Sequence, residues 1–189
     1  MSHRVVLGLG TNVSFNGWSG PELLARACMS LSRIISGMKA SAVYRTAAMY
    51  VTDQDDFYNM VVTGRFEGSP QSLLKAIHSI EAEFGRDRKR EVRNGPRPLD
   101  IDIELFARRR IVQDDLVVPH ERMTERAFVL KPLLDVLDEN ADIDMWSKGF
   151  YREKLMEVEN QKIDLCMTAR QFKNLMKNIR LEAKRNGRN

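Results

Sequence analysis

The stretch Leu99-Asp100-Ile101-Asp102-Ile103-Glu104-Leu105-Phe106 constrains the fold more than any other part of the chain. From Leu99 the residues alternate. Leu99, Ile101, Ile103 and Leu105 point one way, and Asp100, Asp102 and Glu104 point the other. A period of two is that of a half-buried β-strand. Two aspartates two residues apart on one strand face have Cα atoms roughly 6.5–7 Å apart. Adjacent like charges repel, and a divalent cation relieves the repulsion; hard Mg²⁺ takes carboxylate oxygens together with substrate phosphates. Upstream, residues 86–94 read Arg-Asp-Arg-Lys-Arg-Glu-Val-Arg-Asn, a run rich in guanidinium groups that match phosphate geometry. Carboxylates for a metal and arginines for phosphate, this close together, point to a nucleotide-dependent transferase. Taken alone, the aspartate pair also suits a solvated edge strand after a charged loop.

The rest of the chain supplies the partners such a strand needs. Arg4 to Leu9 reads as a short buried strand ending in the turn Gly10-Thr11-Asn12. Ser19-Gly20-Pro21-Glu22 has the form of a capping box. Leu23, Leu24, Ala27, Leu31, Ile34 and Ile35 follow at helical spacing, with Gly37 as terminator. Residues 40–46 and 57–66 read as strands, with an irregular acidic segment between them. Ser69-Pro70 opens a second helix that carries Leu73, Leu74, Ile77, Ile80 and Phe84 on one stripe and stops at Gly85. Arg108-Arg109-Arg110 reads as a turn, and residues 116–120 as extended. Residues 123–137 read as helical with a break before Pro132. The order β-α-β-β-α-β-α predicts an α+β fold, helices packed on an antiparallel sheet.

Composition sets the class. The 189 residues are 43% hydrophobic and 30% charged, which suits one globular domain with a real core. No apolar run approaches the ~20 residues of a membrane span. The start, Met1-Ser2-His3-Arg4, runs at once into strand-like Val5-Val6-Leu7 without a signal-peptide layout. Cys28 and Cys166 lack metal-ligand spacing and read as small apolar residues in helices of a reducing compartment, so a cytoplasmic protein is expected. The net charge of +4 hides an asymmetry: residues 161–189 hold eight Lys/Arg and two acids, leaving 22 basic and 24 acidic groups elsewhere. The expected organisation is a body over residues 1–160 and a basic amphipathic helical tail over 161–189. The tail's stripe is Leu165, Ala169, Phe172, Met176 and Ile179.

Gly95-Pro96-Arg97-x-Leu99-Asp100-Ile101-Asp102-Ile103 resembles the signature of the 6-hydroxymethyl-7,8-dihydropterin pyrophosphokinases of folate biosynthesis. Leu9-Gly10-Thr11-Asn12, Tyr44-Arg45-Thr46, Tyr58-Asn59, Ile80-Glu81, Gly85-Arg86, Val118-Pro119-His120 and Arg126-x-Phe128 occur in that family's order. The resemblance covers roughly residues 4–145 and implies a ferredoxin-like antiparallel sheet. It implies transfer of pyrophosphate from ATP to the pterin hydroxymethyl group with release of AMP, by a monomer that needs neither nucleic acid nor membrane. Asp100 and Asp102 would hold two Mg²⁺ ions, with Arg86 and Arg97 completing the catalytic set. Arg86, Arg88, Lys89, Arg97, His120 and Arg126 would contact ATP on its phosphate side. His78, Glu81 and Ile103 would lie at its adenine and ribose. The pterin would meet Thr46, Ala47, Met49, Phe57, Asn59, Asn94 and Phe128.

The chain departs from the family's usual residues at four of these places. Ala47 and Ala48 stand where two prolines are frequent, Asn94 where a tryptophan caps the pterin, and Glu121 where an aromatic follows the histidine. These changes imply a less rigid pterin loop and a weaker cap, with the metal and phosphate positions intact. Two other classes fit parts of the chain. A small α+β sheet with basic segments could bind RNA, but Asp100, Asp102 and Glu104 would repel phosphate where RNA-reading sheets carry aromatics. A regulatory small-molecule domain would not need an intact aspartate pair and arginine set.

Overall fold

Strand β1 (Ser2–Thr11) lies between two antiparallel partners, β4 (Phe57–Glu67) and β5 (Asp100–Phe106). Its apolar run explains that central place, since both of its faces are covered. In the computed structural model, which describes residues 1–48, 53–88, 95–138 and 147–186, the far edge of β4 is shared by β2 (Ile35–Ala40) and β3 (Val43–Thr46). Strand β8 (Asp164–Met167) pairs with β3, and the six strands form one sheet. A separate hairpin joins β6 (Ile111–Gln113) to β7 (Leu116–Val118).

Among the described residues five α-helices cover the sheet. On one face lie α1 (Gly20–Leu31), α2 (Pro70–Glu83) and α5 (Ala169–Asn186). Leu23, Leu31, Leu73, Ile77, Phe172 and Ile179 from these helices pack with Val5, Leu7, Leu9 and Ile101. On the other face lie α3 (Ala127–Val136) and α4 (Lys148–Glu157). There Leu130, Leu133 and Tyr151 pack with Val6, Val61 and Leu105. Each fully buried aliphatic side chain contributes about 1.5–3 kcal/mol. Helix α2 starts as read: Pro70 sits in its first turn, and Ser69 Oγ accepts from the Ser72 amide at 3.1 Å. It stops at Gly85, whose φ of +81° suits a residue without Cβ.

The structure corrects several expectations. Helix α1 ends at Leu31, and Ile35 begins β2 opposite Phe66; pairing with β4 overrides the helical spacing of Ile34 and Ile35. The capping box does not form. Ser19 makes no cap bond, and Glu22 instead takes Arg26 at 2.9 Å. Helix α3 runs through Pro132 without a break, leaving the Phe128 carbonyl without an i+4 donor. Leu165 and Cys166 lie in strand β8, not in a helix, and both are exposed, whereas Cys28 is buried in α1. The basic C-terminal segment adds a strand to the sheet and puts Phe172 and Ile179 into the core.

The alternation of β5 also breaks. Leu7 pairs with Ile103 and Val6 with Leu105, so the register shifts and Glu104 has no cross-strand partner. This β-bulge turns Leu105 to the α3 face, away from Ile103, and puts Phe106 back beneath α1 and α2. Among the described residues no helix is long and apolar enough to cross a membrane.

Candidate active site

Asp100 and Asp102 share the sheet face that looks toward α3, because β5 alternates faithfully up to Ile103. Asp100 stands opposite Gly10, and Asp102 opposite Gly8. On the other side of β1, Gly10 stands opposite Asn59 and Gly8 opposite Val61. Two glycines in the central strand keep the floor low, and a cleft opens above it. Asp100, Asp102, Arg97 and Arg126 line this cleft together with Thr46, Ala47, Phe57, Asn59 and Phe128. Residues from four separate stretches, expected to hold metal, phosphate and ring, thus meet in one place.

The two aspartates differ in electrostatics. Burial pushes the Asp100 carboxyl up, but the Arg97 and Arg86 guanidinium groups outweigh it and hold the group below the ordinary carboxylate range. Arg97 Nε lies 3.1 Å from Asp100 Oδ2, and Arg86 donates to Asp100 Oδ1. At Asp102 burial, then the charge of Asp100, outweigh Arg126 and Arg97 and push the group up to about 7. Glu104 lies well above its usual value for the same two kinds of reason, burial first and the Asp102 charge next. A row of carboxyls in which Asp100 raises Asp102 and Asp102 raises Glu104 attracts a cation.

The walls of the cleft are aromatic. Arg97 lies over the Phe57 ring at 5.7 Å and Arg126 over the Phe128 ring at 5.5 Å. Asn59 is buried, and its Nδ2 donates to Thr46 Oγ1 at 2.9 Å. That bond fixes the amide and leaves Oδ1 to face a ligand. Flat heterocycles are recognised by such a set: rings for stacking and a fixed amide for the edge.

A second cluster sits where α2 ends. Glu81 is 1% exposed. Its carboxylate takes Arg86 at 2.5 Å, Arg88 at 2.6 Å and the Ile101 amide at 2.9 Å. Its carboxylate is engaged on protein donors, so Glu81, expected at the adenine and ribose, positions two arginines at the end of α2. Ile103, expected at the same place, is 4% exposed in the core beneath α1 and α2, on the face opposite the aspartates. His78 is half-buried beside this cluster, held below its usual pKa by burial and then by Arg88. His120 is half-buried too, lowered by burial and then Arg126. Its backbone N–H donates to the Glu104 carbonyl at 3.1 Å, which anchors it beside β5. Neither histidine lines the cleft. Met49, Lys89 and Asn94 lie outside the described residues.

Sequence reasoning missed several participants. Gly8, Gln54, Met60 and Glu104 also line the cleft. Asn12 ties the site together: its Oδ1 accepts from the Arg97 amide at 2.9 Å and its Nδ2 donates to Gln54 Oε1 at 2.9 Å. The turn Gly10-Thr11-Asn12 was the available signal for Asn12. Glu104 gave the opposite signal, since it reads as one more solvated charge, whereas it is 1% exposed.

The donors suit Mg²⁺ that arrives with a nucleotide. Among the described residues no three His, Cys, Asp or Glu side chains gather into a self-sufficient metal site. A pair of carboxylates, one raised by the other, leaves the remaining coordination to phosphate oxygens and water, which is the usual habit of Mg²⁺.

Comparison with known proteins gives the chain its family. The family model for 7,8-dihydro-6-hydroxymethylpterin-pyrophosphokinase matches residues 6–138. The chain is 40% identical over 145 residues to the mitochondrial folate synthesis bifunctional protein of Arabidopsis thaliana, covering 75% of this chain and 25% of that protein. It is 37% identical over 139 residues to the 2-amino-4-hydroxy-6-hydroxymethyldihydropteridine pyrophosphokinase of Bacillus subtilis, covering 72% of this chain and 79% of that protein. The chain therefore spans only about a quarter of the plant bifunctional relative and most of the bacterial one. A solved structure of an HPPK-DHPS in complex with substrates shares the fold, with a TM-score of 0.60 at 13% identity over 84% of this chain and 46% of that one.

Proposed function

This chain belongs to the 7,8-dihydro-6-hydroxymethylpterin-pyrophosphokinase family, and from that premise we propose that it transfers the β,γ-pyrophosphoryl group of ATP to the hydroxymethyl oxygen of 6-hydroxymethyl-7,8-dihydropterin, releasing AMP. One observation carries the reading: Asp100 and Asp102 face the same cleft as Phe57, Asn59 and Phe128. A phosphate group brought to the carboxylates and a flat ring held between the phenyl groups would meet there. Two Mg²⁺ ions, held by Asp100 and Asp102 together with ATP phosphates, would withdraw charge from the β-phosphorus and make the attacking alcohol more acidic.

The chain's own residues do the positioning. Phe57 and Phe128 stack on the ring, and Asn59 and the Thr46–Ala47 backbone take its amide-like edge; Met49 and Asn94 are assigned to the pterin by the family resemblance. Arg97 and Arg126 stand at the seam between ring and phosphates, each over one of the two phenyl groups. Arg86, Arg88, Lys89 and His120 meet phosphate oxygens, with Glu81 aiming the first two; His78 lies on the nucleoside side. Alignment of an alcohol with a phosphorus in a partly buried cleft supplies much of the rate by itself. The reading takes the chain as a cytoplasmic monomer acting on two small molecules, without nucleic acid or membrane.

Incubating the protein with ATP, Mg²⁺ and the hydroxymethyl dihydropterin and identifying the nucleotide product tests the proposal. AMP is the expected product. ADP would make it an ordinary kinase, and no turnover would favour a binding module.

A further inference from the structure

Glu104 is a buried carboxyl that the transfer as proposed does not use. It is 1% exposed, and among the described residues its Oε2 has no hydrogen-bond partner. A buried polar atom left unpaired destabilises a fold, so a ligand partner is the natural reason to keep one. The bulge aims it: Ile103 and Leu105 both have partners on β1, and Glu104 between them has none. Bulges re-aim side chains beside functional sites.

Gly8 shows where the carboxyl goes. A Cβ built on Gly8 would stand 2.8 Å from Glu104 Oε1, so the carboxyl lies over the backbone of that glycine. Gly8 is flanked by Asp102 on β5 and Val61 on β4, one row from Gly10 and Asn59. The carboxyl therefore occupies the cleft floor between the metal-side aspartate and the strand that carries Asn59, and Glu104 lines that cleft. Since Asn59 Nδ2 is committed to Thr46, the floor offers two acceptors beneath aromatic walls, Asn59 Oδ1 over Gly10 and Glu104 Oε1 over Gly8.

Resting on the reading of this cleft as a dihydropterin site, we infer that Glu104 is a specificity-determining residue that accepts an N–H of the bound ring. The site then selects rings that present N–H donors to both Asn59 and Glu104. A 7,8-dihydropterin carries such donors on its 2-amino group, on N3 and on N8. Oxidation to the aromatic pterin removes the hydrogen from N8.

The test is equilibrium binding by calorimetry with Mg²⁺ and a non-hydrolysable ATP analogue present. The ligands are 6-hydroxymethyl-7,8-dihydropterin, the same ring without its 2-amino group, and the oxidised ring. The proteins are wild type, Glu104→Gln and Glu104→Leu. Glu104→Leu should weaken the parent ring at least tenfold, and Glu104→Gln, whose amide oxygen still accepts, less than threefold. At least one donor-deleted ring should bind wild type tenfold more weakly than the parent, yet bind the Glu104→Leu protein as well as the parent does. In turnover, the KM for ATP should stay within twofold while the KM for the pterin follows binding. A carboxyl with only a structural role predicts a Glu104→Leu protein that melts higher and binds the parent ring as wild type does; that result overturns the inference. Gly8→Ala gives a second route, because its methyl group displaces the Glu104 carboxyl. It should weaken the parent ring in the wild-type background and have no further effect in the Glu104→Leu background, and equal effects in both overturn the inference. A wild type that binds none of the rings removes the dihydropterin reading and this inference together. Wild-type binding with an unaffected Glu104→Leu protein removes the inference alone.

Discussion

The two faces of the sheet are made by the same strands and behave as opposites. Beneath α1, α2 and α5, Leu7, Leu9, Leu99 and Ile101 pack in one apolar cluster. On the other face, one residue along each strand, Gly8, Gly10, Asp100 and Asp102 line an open cleft with Asn59 and Glu104. The first face supplies stability. The second spends some of it, by holding Asp102 and Glu104 where their ionised forms are disfavoured. The difference teaches that the closed face must be strong enough to carry the strain of the open one, which is the usual relation between stability and activity.

That comparison breaks first at the aspartates. Asp100→Ala and Asp102→Ala should each lower kcat by about 10³-fold or more, measured as AMP release, while circular dichroism shows a folded protein. Near-normal turnover in either would end the metal assignment. Removing residues 164–189 comes next. It strips β8 from β3 and takes Phe172 and Ile179 out of the core. With about 1.5–3 kcal/mol for each buried side chain, the loss should reach about 3–6 kcal/mol in urea unfolding, and the folded fraction should keep its turnover. Phe172→Ala isolates one part of that loss, at about 3–5 kcal/mol. Turnover per folded molecule should again be unchanged; a fall comparable to that of Asp102→Ala would mean the two faces are not separable. The smallest effect sharpens the reading of the helix starts. Ser69→Ala should cost about 1 kcal/mol because its hydroxyl caps α2. Ser19→Ala should cost less than about 0.5 kcal/mol, because Ser19 caps nothing.

Much of the site was legible, and the reason is local. Two aspartates on one strand face, a proline-led helix and a glycine stop are signals contained within a few residues, and β5 up to Ile103, α2 and Gly85 followed them. The errors share another origin. Ile35 fits a helical stripe, but β4 offered it a partner in Phe66. Leu165 also fits a helical stripe, but the free edge of β3 drew it into a strand opposite Tyr44. In both, pairing with a distant segment outweighed a local period. The packing also makes Glu81 the buried anchor for Arg86 and Arg88, which no short window of the chain shows.

By itself the sequence determined the chemistry on offer: which residues alternate, where carboxylates and guanidinium groups lie close, and where helices begin. Side-chain type and period are properties of neighbours in the chain, so they needed no fold. Only the tertiary structure decided which of those groups share a cleft, and that Glu104 lies over Gly8 and not in solvent. The bulge behind that placement is a mismatch between β5 and the Val6–Leu7 step of β1. A register between strands almost a hundred residues apart is set by how two faces pack, and no window along the chain contains both strands.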